Sequence, residues 1–198
     1  PAAPAPARDH LPLALDAEDN PHISYYDYNN SDLMYAARNG NAWTIETVEA
    51  AGNVGEFNSL TLDVRGNPRI SYVDRSAGTV KFAAKNGAIW TIETLEGIPV
   101  VNSPYTSLEL DAHGNPSISY FKYDVGLSAA HIRYAAKTVG AWVFENVDGS
   151  ANNVVCLDPS LALDRQGHPC ISYRSATAHT LFYAVRNGGA WISETVDA

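Results

Sequence analysis

One motif is repeated four times along nearly the whole sequence, and this repeat limits the folds open to the chain. Each copy contains a segment of the form L-x-L-D, then a turn with proline, the triplet Ile-Ser-Tyr and, further on, a tryptophan. A period of about 48 residues is typical of propeller blades and other repeat architectures. Two positions anchor the copies: Asp16, Asp63, Asp111 and Asp164 in the first block, and Trp43, Trp90, Trp142 and Trp191 in the second.

Each copy reads as four β-strands joined by tight turns. Apolar residues alternate with polar ones, β-branched and aromatic residues dominate, and no stretch has helical periodicity. The turn from Asp63 to Pro68 follows the first strand, and Asn86-Gly87 predicts a two-residue hairpin between the third and fourth strands. The third copy has Thr138-Val139-Gly140 there, which predicts a different turn.

A four-stranded meander repeated around an axis predicts an all-β fold, a four-bladed β-propeller. A β-trefoil has three copies, and a β-helix has much shorter ones. The expected organisation is a Pro/Ala-rich tail over 1–10, left by signal removal or serving as a linker, and a propeller over 11–198. The predicted blades span 11–50, 58–97, 106–149 and 159–198.

The repeat also leads to an expectation for the ends of the propeller. The fourth copy ends after its own last strand, which predicts a ring closed by side-chain packing between the first and fourth blades. Two alternatives stay open: the chain belongs to a longer propeller, or a second chain fills the seam.

The formal net charge of −9 argues against nucleic-acid partners, because an acidic chain repels a phosphate backbone. No apolar run is long enough to predict membrane insertion. The chain has two cysteines and one methionine, and it is rich in tyrosine and asparagine. This composition favours an extracytoplasmic location: secreted, periplasmic or at the cell surface.

Residues shared by all four copies are interpreted as structural. The tryptophans are expected to pack between blades, and the anchor aspartates to cap turns. A repeated pair of charges predicts a salt-bridge network: Arg38, Lys85, Lys137 and Arg186 on the third strands, with Glu46, Glu93, Glu145 and Glu194 on the fourth. No nucleophile elbow, metal-binding histidine motif or phosphate loop is present, so we predict no enzyme activity and no cofactor.

Positions that vary between the copies are the candidates for ligand binding, because loops on a rigid scaffold commonly carry function. His22, Arg69, Ser117 and Cys170 occupy one such place, directly after the turn proline. The variable loops and connectors add aromatic and imidazole side chains as candidates: Tyr26, Tyr28, Tyr105, Tyr123 and His131.

Two further features lead to weaker hypotheses. Asp27, Asn29, Ser31 and Asp32 alternate oxygen-bearing side chains as calcium loops do, but the glycine and the glutamate of such a loop are missing, which favours an ordinary polar hairpin and no metal. Cys156 and Cys170 occur only in the fourth copy. They predict either a disulfide or two free buried thiols.

The motif L-x-L-D-x-x-G-x-P-x-I-S-Y…Y-A-x-x-x-G-x-W resembles repeats of secreted bacterial propellers of the sialidase-like, Asp-box-bearing kind. Ala84-Lys-Asn-Gly-Ala-Ile-Trp90 looks like a degenerate Asp-box without its Ser-x-Asp pair. The leading hypothesis is a non-catalytic binding or scaffolding propeller with a protein partner in a larger extracytoplasmic assembly. The alternatives are a lectin-like glycan-binding propeller, which the resemblance makes a fair analogy, and a sialidase-like glycoside hydrolase.

Overall fold

The computed structural model is an all-β propeller of sixteen strands in four sheets, which confirms the predicted fold class. It describes residues 11–98, 105–124, 129–148, 156–175 and 179–197. The predicted tail over 1–10 lies outside these ranges. Within them no helix is long and apolar enough to cross a membrane.

Each sheet is one repeat folded as a four-stranded antiparallel meander. The first two blades comprise β1 (Leu13–Leu15), β2 (Pro21–Asp27), β3 (Asp32–Asn39), β4 (Ala42–Glu49), β5 (Val54–Leu62), β6 (Pro68–Asp74), β7 (Thr79–Asn86) and β8 (Ile89–Gly97). The last two comprise β9 (Thr106–Leu110), β10 (Pro116–Asp124), β11 (Ala129–Thr138), β12 (Ala141–Asn146), β13 (Cys156–Leu163), β14 (Pro169–Ser175), β15 (Leu181–Asn187) and β16 (Ala190–Asp197). Strands β5 and β13 therefore begin before the predicted blade limits of 58 and 159.

The first strand of each blade packs against the first strand of the next blade, so β1, β5, β9 and β13 form the inner layer. Because each meander is antiparallel, the turns after the first and third strands lie at one end of the blade. We call this end the Asp-turn face. The loops after the second strands and the connectors between blades form the opposite end, the connector face.

The anchor aspartates fold the Asp-turn face. In the second blade, Asp63 Oδ1 accepts hydrogen bonds from the backbone N–H groups of Arg65 and Asn67, each at 2.9 Å. The Gly66 N–H donates to the Asp63 carbonyl, and Gly66 has a φ of +78°, which an L-residue rarely adopts. Equivalent contacts recur at Asp16, Asp111 and Asp164.

The outer hairpins also share one loop length. Lys85 pairs with Trp90 across β7 and β8, and Lys137 pairs with Trp142 across β11 and β12, so the third copy keeps the same loop length. The third copy places both central residues in the left-handed region, Val139 at a φ of +48° and Gly140 at +82°. The fourth copy does the same with Gly188 and Gly189, whereas the first two copies do so only at Gly40 and Gly87.

Consecutive blades are joined by three apolar clusters of the same design. At each junction one blade contributes its back face and the following blade its front face. Between the first two blades the back face is formed by Leu33, Tyr35 and Val48, and the front face by Leu60, Ile70, Tyr72 and Trp90. The close approach requires Gly55, where an added Cβ would lie 2.8 Å from Leu33 Cα.

The predicted seam between the first and fourth blades is not formed. Among the described residues, all closely packed pairs of strands belong to one blade or to consecutive blades. Trp43 of the first blade and Leu181 of the fourth are exposed, so the four described blades make an open arc with the front face of the first blade and the back face of the fourth uncovered.

Candidate functional site

A repeated ionic cluster closes every junction near the Asp-turn face. Between the first two blades, the Lys85 ammonium donates to Glu46 Oε1 at 2.5 Å, and the Trp90 indole N–H donates to Glu46 Oε2 at 3.1 Å. The Trp90 ring meets Tyr35 edge to face at 5.4 Å between centroids. The remaining junctions repeat this cluster with Lys137, Trp142 and Glu93, and with Arg186, Trp191 and Glu145.

These contacts set the protonation of the glutamates. Partial burial raises the pKa of Glu46, but the hydrogen bonds from Lys85 and Trp90 and the charge of Lys85 outweigh it and hold that pKa below its ordinary value. The same balance, with Lys137 and Trp142, lowers the pKa of Glu93. Both groups therefore act as carboxylates that hold two blades together, which is the network that the repeated charges predict.

A cleft of about 510 Å³ opens between the first and second blades at the Asp-turn face. The first blade lines it with acidic, aromatic and imidazole groups, and the second blade adds Lys85 and turn residues. Its lining includes Asp16, Glu18, His22, Tyr35, Glu46 and Asn67. We call this space the 1–2 cleft.

A hydrogen-bonded series forms one wall of the 1–2 cleft. His22 Nδ1 is hydrogen-bonded to the Tyr35 hydroxyl, and His22 Nε2 lies 3.4 Å from Asp16 Oδ2. Contacts with Asn20, His22 and Glu18 lower the pKa of Asp16 to about 2. Burial, with the charges of Glu46 and Asp16, raises the pKa of Tyr35, so its hydroxyl keeps its proton. The wall offers a fixed carboxylate beside a neutral phenol.

The side chains at the positions equivalent to His22 each form a hydrogen bond within their own blade. Ser117 Oγ lies 2.8 Å from the Tyr134 hydroxyl, and the Tyr183 hydroxyl donates to Cys170 Sγ at 3.2 Å. In the second blade the aromatic is Phe82, which has no hydroxyl, and Arg69 instead donates to Asp63 Oδ2 at 2.8 Å. The side chain after the turn proline therefore varies largely because its neighbour varies from blade to blade. The predicted role of this position in ligand binding stays a prediction.

The structure divides the predicted ligand-binding residues between the two ends of the blades. His22, Arg69 and Ser117 begin second strands and lie at the Asp-turn face, whereas the aromatic candidates lie toward the connector face. They do not form a single rim, because a second strand runs from one face to the other.

Two connector-face candidates are buried. Tyr26 is 8% exposed, and its hydroxyl donates to Asn53 Oδ1 at 3.1 Å. His131 is also 8% exposed, with Nδ1 3.2 Å from the Asp148 carbonyl. This burial argues against the predicted ligand-binding role of Tyr26, because a ring that is 8% exposed offers little surface to a ligand.

The other aromatic candidates are more accessible. Tyr28 is exposed and meets Tyr26 edge to face at 4.9 Å. Tyr105 is half-buried and packs edge to face on Phe57 at 4.8 Å, and Tyr123 is half-buried near the end of β10. Tyr28 belongs to the first blade, whereas Tyr105 directly precedes β9 and Tyr123 lies on β10 of the third blade, so the three do not form one site.

The polar loop after β2 is held by its own hydrogen bonds. Asp27 accepts from the Asn29 N–H at 2.9 Å and from the Asn30 side chain at 2.7 Å, and Ser31 has a positive φ of +64°. Over the described ranges, no three histidine, cysteine or acidic side chains form a group suited to a metal. The loop, including Asp32, is built as a polar hairpin.

The predicted disulfide does not form. Cys170 is a free thiol. In the pairing of β13 with β14, Cys170 lies opposite Ala162, whereas Cys156 lies opposite Ser175. Five residues along a strand correspond to roughly 16 Å, far beyond the separation that a disulfide can bridge.

Sequence reasoning missed one carboxylate near the inner layer. Glu109 lies in β9, and burial raises its pKa above the ordinary value. It lines a second cleft, of about 430 Å³, with the turns of the third and fourth blades. The signal was present in the sequence, since the equivalent positions hold Ala14, Thr61 and Ala162 and only this copy places a charge there.

No protein-family model and no curated protein matches this chain. Solved structures do match. A fucose-specific lectin from Aleuria aurantia has a TM-score of 0.62 at 16% identity, over 90% of this chain and 60% of its own. The GH93 α-L-arabinofuranosidase of Fusarium graminearum has a TM-score of 0.69 at 10% identity, over 95% and 66%. An α-L-arabinanase from Penicillium chrysogenum has a TM-score of 0.68 at 8% identity, over 94% and 66%.

These neighbours share the propeller fold, and this chain spans 60–66% of their lengths. They do not confirm the Asp-box resemblance. They correct the prediction that the protein is not an enzyme, since the fold carries arabinan-degrading enzymes as well as lectins.

Proposed function

We propose that the protein is an extracytoplasmic propeller that binds a glycan in the 1–2 cleft. The observation that carries this proposal is the composition of the cleft: carboxylates of Asp16, Glu18 and Glu46 beside the Lys85 ammonium, over the ring of Tyr35 and the turn backbone. Sugar hydroxyls both donate and accept hydrogen bonds, so they match a wall that alternates carboxylates with donors.

The shape and rigidity of the cleft also favour a sugar ligand. A volume of about 510 Å³ lies in the range of small-ligand sites, which suits one or two sugar rings. The polar groups are held in place before binding, because Glu46 is fixed by Lys85 and Trp90, and His22 by Tyr35. A site that is already ordered loses little conformational entropy when a ligand binds.

The similar lectin and arabinose-releasing enzymes supply the first ligands to test. The Aleuria aurantia lectin is specific for fucose, and the Fusarium graminearum enzyme forms a complex with arabinobiose; both are neutral sugars. An acidic protein with a net charge of −9 is also better suited to neutral or basic glycans than to sialylated ones.

The test is calorimetric titration of the protein with methyl fucoside, arabinobiose and the positive ligands of a glycan array. We expect Glu46→Gln to weaken binding at least tenfold. Glu93→Gln is the matched control, because it removes the equivalent interblade contacts at the next junction without touching the 1–2 cleft. Equal losses in both variants, or no glycan ligand, would contradict the proposal. Analysis of the same mixtures for released sugar shows whether binding leads to hydrolysis.

A further inference from the structure

The front face of the first blade is an uncovered copy of a surface that is buried elsewhere in the chain. Leu13 is 61% exposed, whereas the leucines at its position in the next three blades, Leu60, Leu108 and Leu161, are 3–8% exposed. Trp43 is 48% exposed, whereas Trp90, Trp142 and Trp191 pack against the preceding blade. Trp43 lines an open apolar patch together with Leu11 and Ile45.

The back face of the fourth blade is the complementary half of the same junction. Leu181 is 42% exposed, whereas Leu33, Val80 and Ile132 at its position are fully buried. Val196 is 58% exposed, and its counterparts Val48 and Val147 are buried. The uncovered front face of the first blade and the uncovered back face of the fourth therefore carry the residue types found on the two sides of each internal junction.

The ionic cluster is divided in the same way. At each internal junction a glutamate of the back face accepts from a tryptophan and a cation of the front face. Glu194 of the fourth blade has no such partner in the part of the chain that the structure describes. On the front face of the first blade, the Trp43 indole N–H has no acceptor among the described residues, and Arg38 has there a single side-chain contact, 3.4 Å from Asn41.

We propose that a second copy of this chain places the back face of its fourth blade on the front face of the first blade. Two copies then associate head to tail through the junction that already joins consecutive blades. In this interface Glu194 of one copy accepts from Trp43 and Arg38 of the other, and Tyr183 meets the Trp43 ring. The occupant is argued from the repeat, since the back face of the fourth blade carries the same residue types that cover each front face at the internal junctions.

The association is heterologous, so it leads to a closed ring or to larger head-to-tail assemblies. Either outcome leaves the 1–2 cleft outside the interface, because the cleft lies at the first internal junction. Glycan binding and self-association can therefore fail independently.

The test is sedimentation velocity and native mass spectrometry of the full chain at micromolar concentration. We expect a dimer or a larger assembly for the unmodified chain. Trp43→Asp on the front face and Leu181→Asp on the back face should each give a monomer. Because both side chains are exposed, these monomers should keep the circular dichroism spectrum of the parent. Val64→Asp is the surface control, since Val64 is 95% exposed in a turn, and it should leave association unchanged.

Mixing the two monomeric variants gives the decisive result. A pair with one altered front face and one altered back face retains one intact junction, so the mixture should form a one-to-one dimer. A monomeric unmodified chain would overturn the proposal, and so would a mixture that stays monomeric. Association that neither variant affects would also overturn it, since another surface would then be responsible.

Discussion

Trp43 and Trp90 occupy the same position in two consecutive blades and have different surroundings. Trp90 meets the Tyr35 ring at 5.4 Å and donates its indole N–H to Glu46 of the preceding blade, whereas Trp43 is 48% exposed on the front face of the first blade. The difference shows that the repeat encodes an interface in two halves. Each blade carries a front face and a back face, and the side chains of each face are buried only where another blade packs on it.

The largest expected effect compares two leucines at the same repeat position. Leu108→Ala removes a side chain that is 3% exposed, and we expect it to lower the free energy of unfolding by about 2–5 kcal/mol. Leu13→Ala should cost less than about 1 kcal/mol in the monomer, because that side chain is 61% exposed. Urea unfolding of Trp43→Asp monomers carrying each change measures the difference. Equal losses would mean that the first blade is covered in the monomer.

A smaller effect is expected from the ionic cluster. Glu93→Gln leaves Lys137 and Trp142 without a charged acceptor and should cost about 1 kcal/mol, since ionic hydrogen bonds contribute modestly when partly exposed. Glu194→Gln should leave the stability of the monomer unchanged and weaken only self-association. Comparable losses in the monomer for both variants would contradict the division of the junction into halves.

The pH dependence of stability follows from the same glutamates. Partial burial raises the pKa values of Glu46 and Glu93, but the hydrogen bonds from lysine and tryptophan and the lysine charge outweigh it, so both pKa values lie below the ordinary value of 4.5 in the folded protein. Their contribution is therefore present above pH 4.5 and is lost as the pH falls through the lowered pKa values. Unfolding free energies measured from pH 6 to pH 3 should decrease, and a flat profile would contradict this.

The smallest effect concerns Glu109, whose pKa is raised by burial. Since burial disfavours the charged form, Glu109→Gln should raise the melting temperature at pH 7 by about 2 °C, and the gain should vanish below pH 4, where both side chains are neutral. The exposed Glu18→Gln is the control, which should have no such effect. A fall in melting temperature at pH 7 for Glu109→Gln would show that its carboxylate has a stabilising partner.

The repeat allowed the fold to be predicted because its signals are local. The Asp63 turn, the outer hairpins and the strand periodicity each depend on a few neighbouring residues. The repeated charges predicted a salt-bridge network. They did not show which residues pair, because Lys85 and its partner Glu46 belong to different copies of the repeat. The uncovered faces depend on the rotation between blades, which no local pattern encodes.

The candidate site was predicted less well than the fold. Variation between copies drew attention to His22, which lines the 1–2 cleft, but also to Tyr26 and His131, which are buried. Variation marks a position that differs without showing whether it faces solvent or a neighbouring blade. The glutamates of the cluster were set aside because they repeat, although only Glu46 lines the 1–2 cleft.

Hydroxyl-radical footprinting of the four tryptophans over a dilution series tests the central claim most directly. We expect Trp90, Trp142 and Trp191 to react slowly at every concentration, because each is covered by the preceding blade of its own chain. Trp43 should become more reactive on dilution, as a second copy leaves the front face of the first blade. Four tryptophans with equal, concentration-independent reactivity would contradict the account.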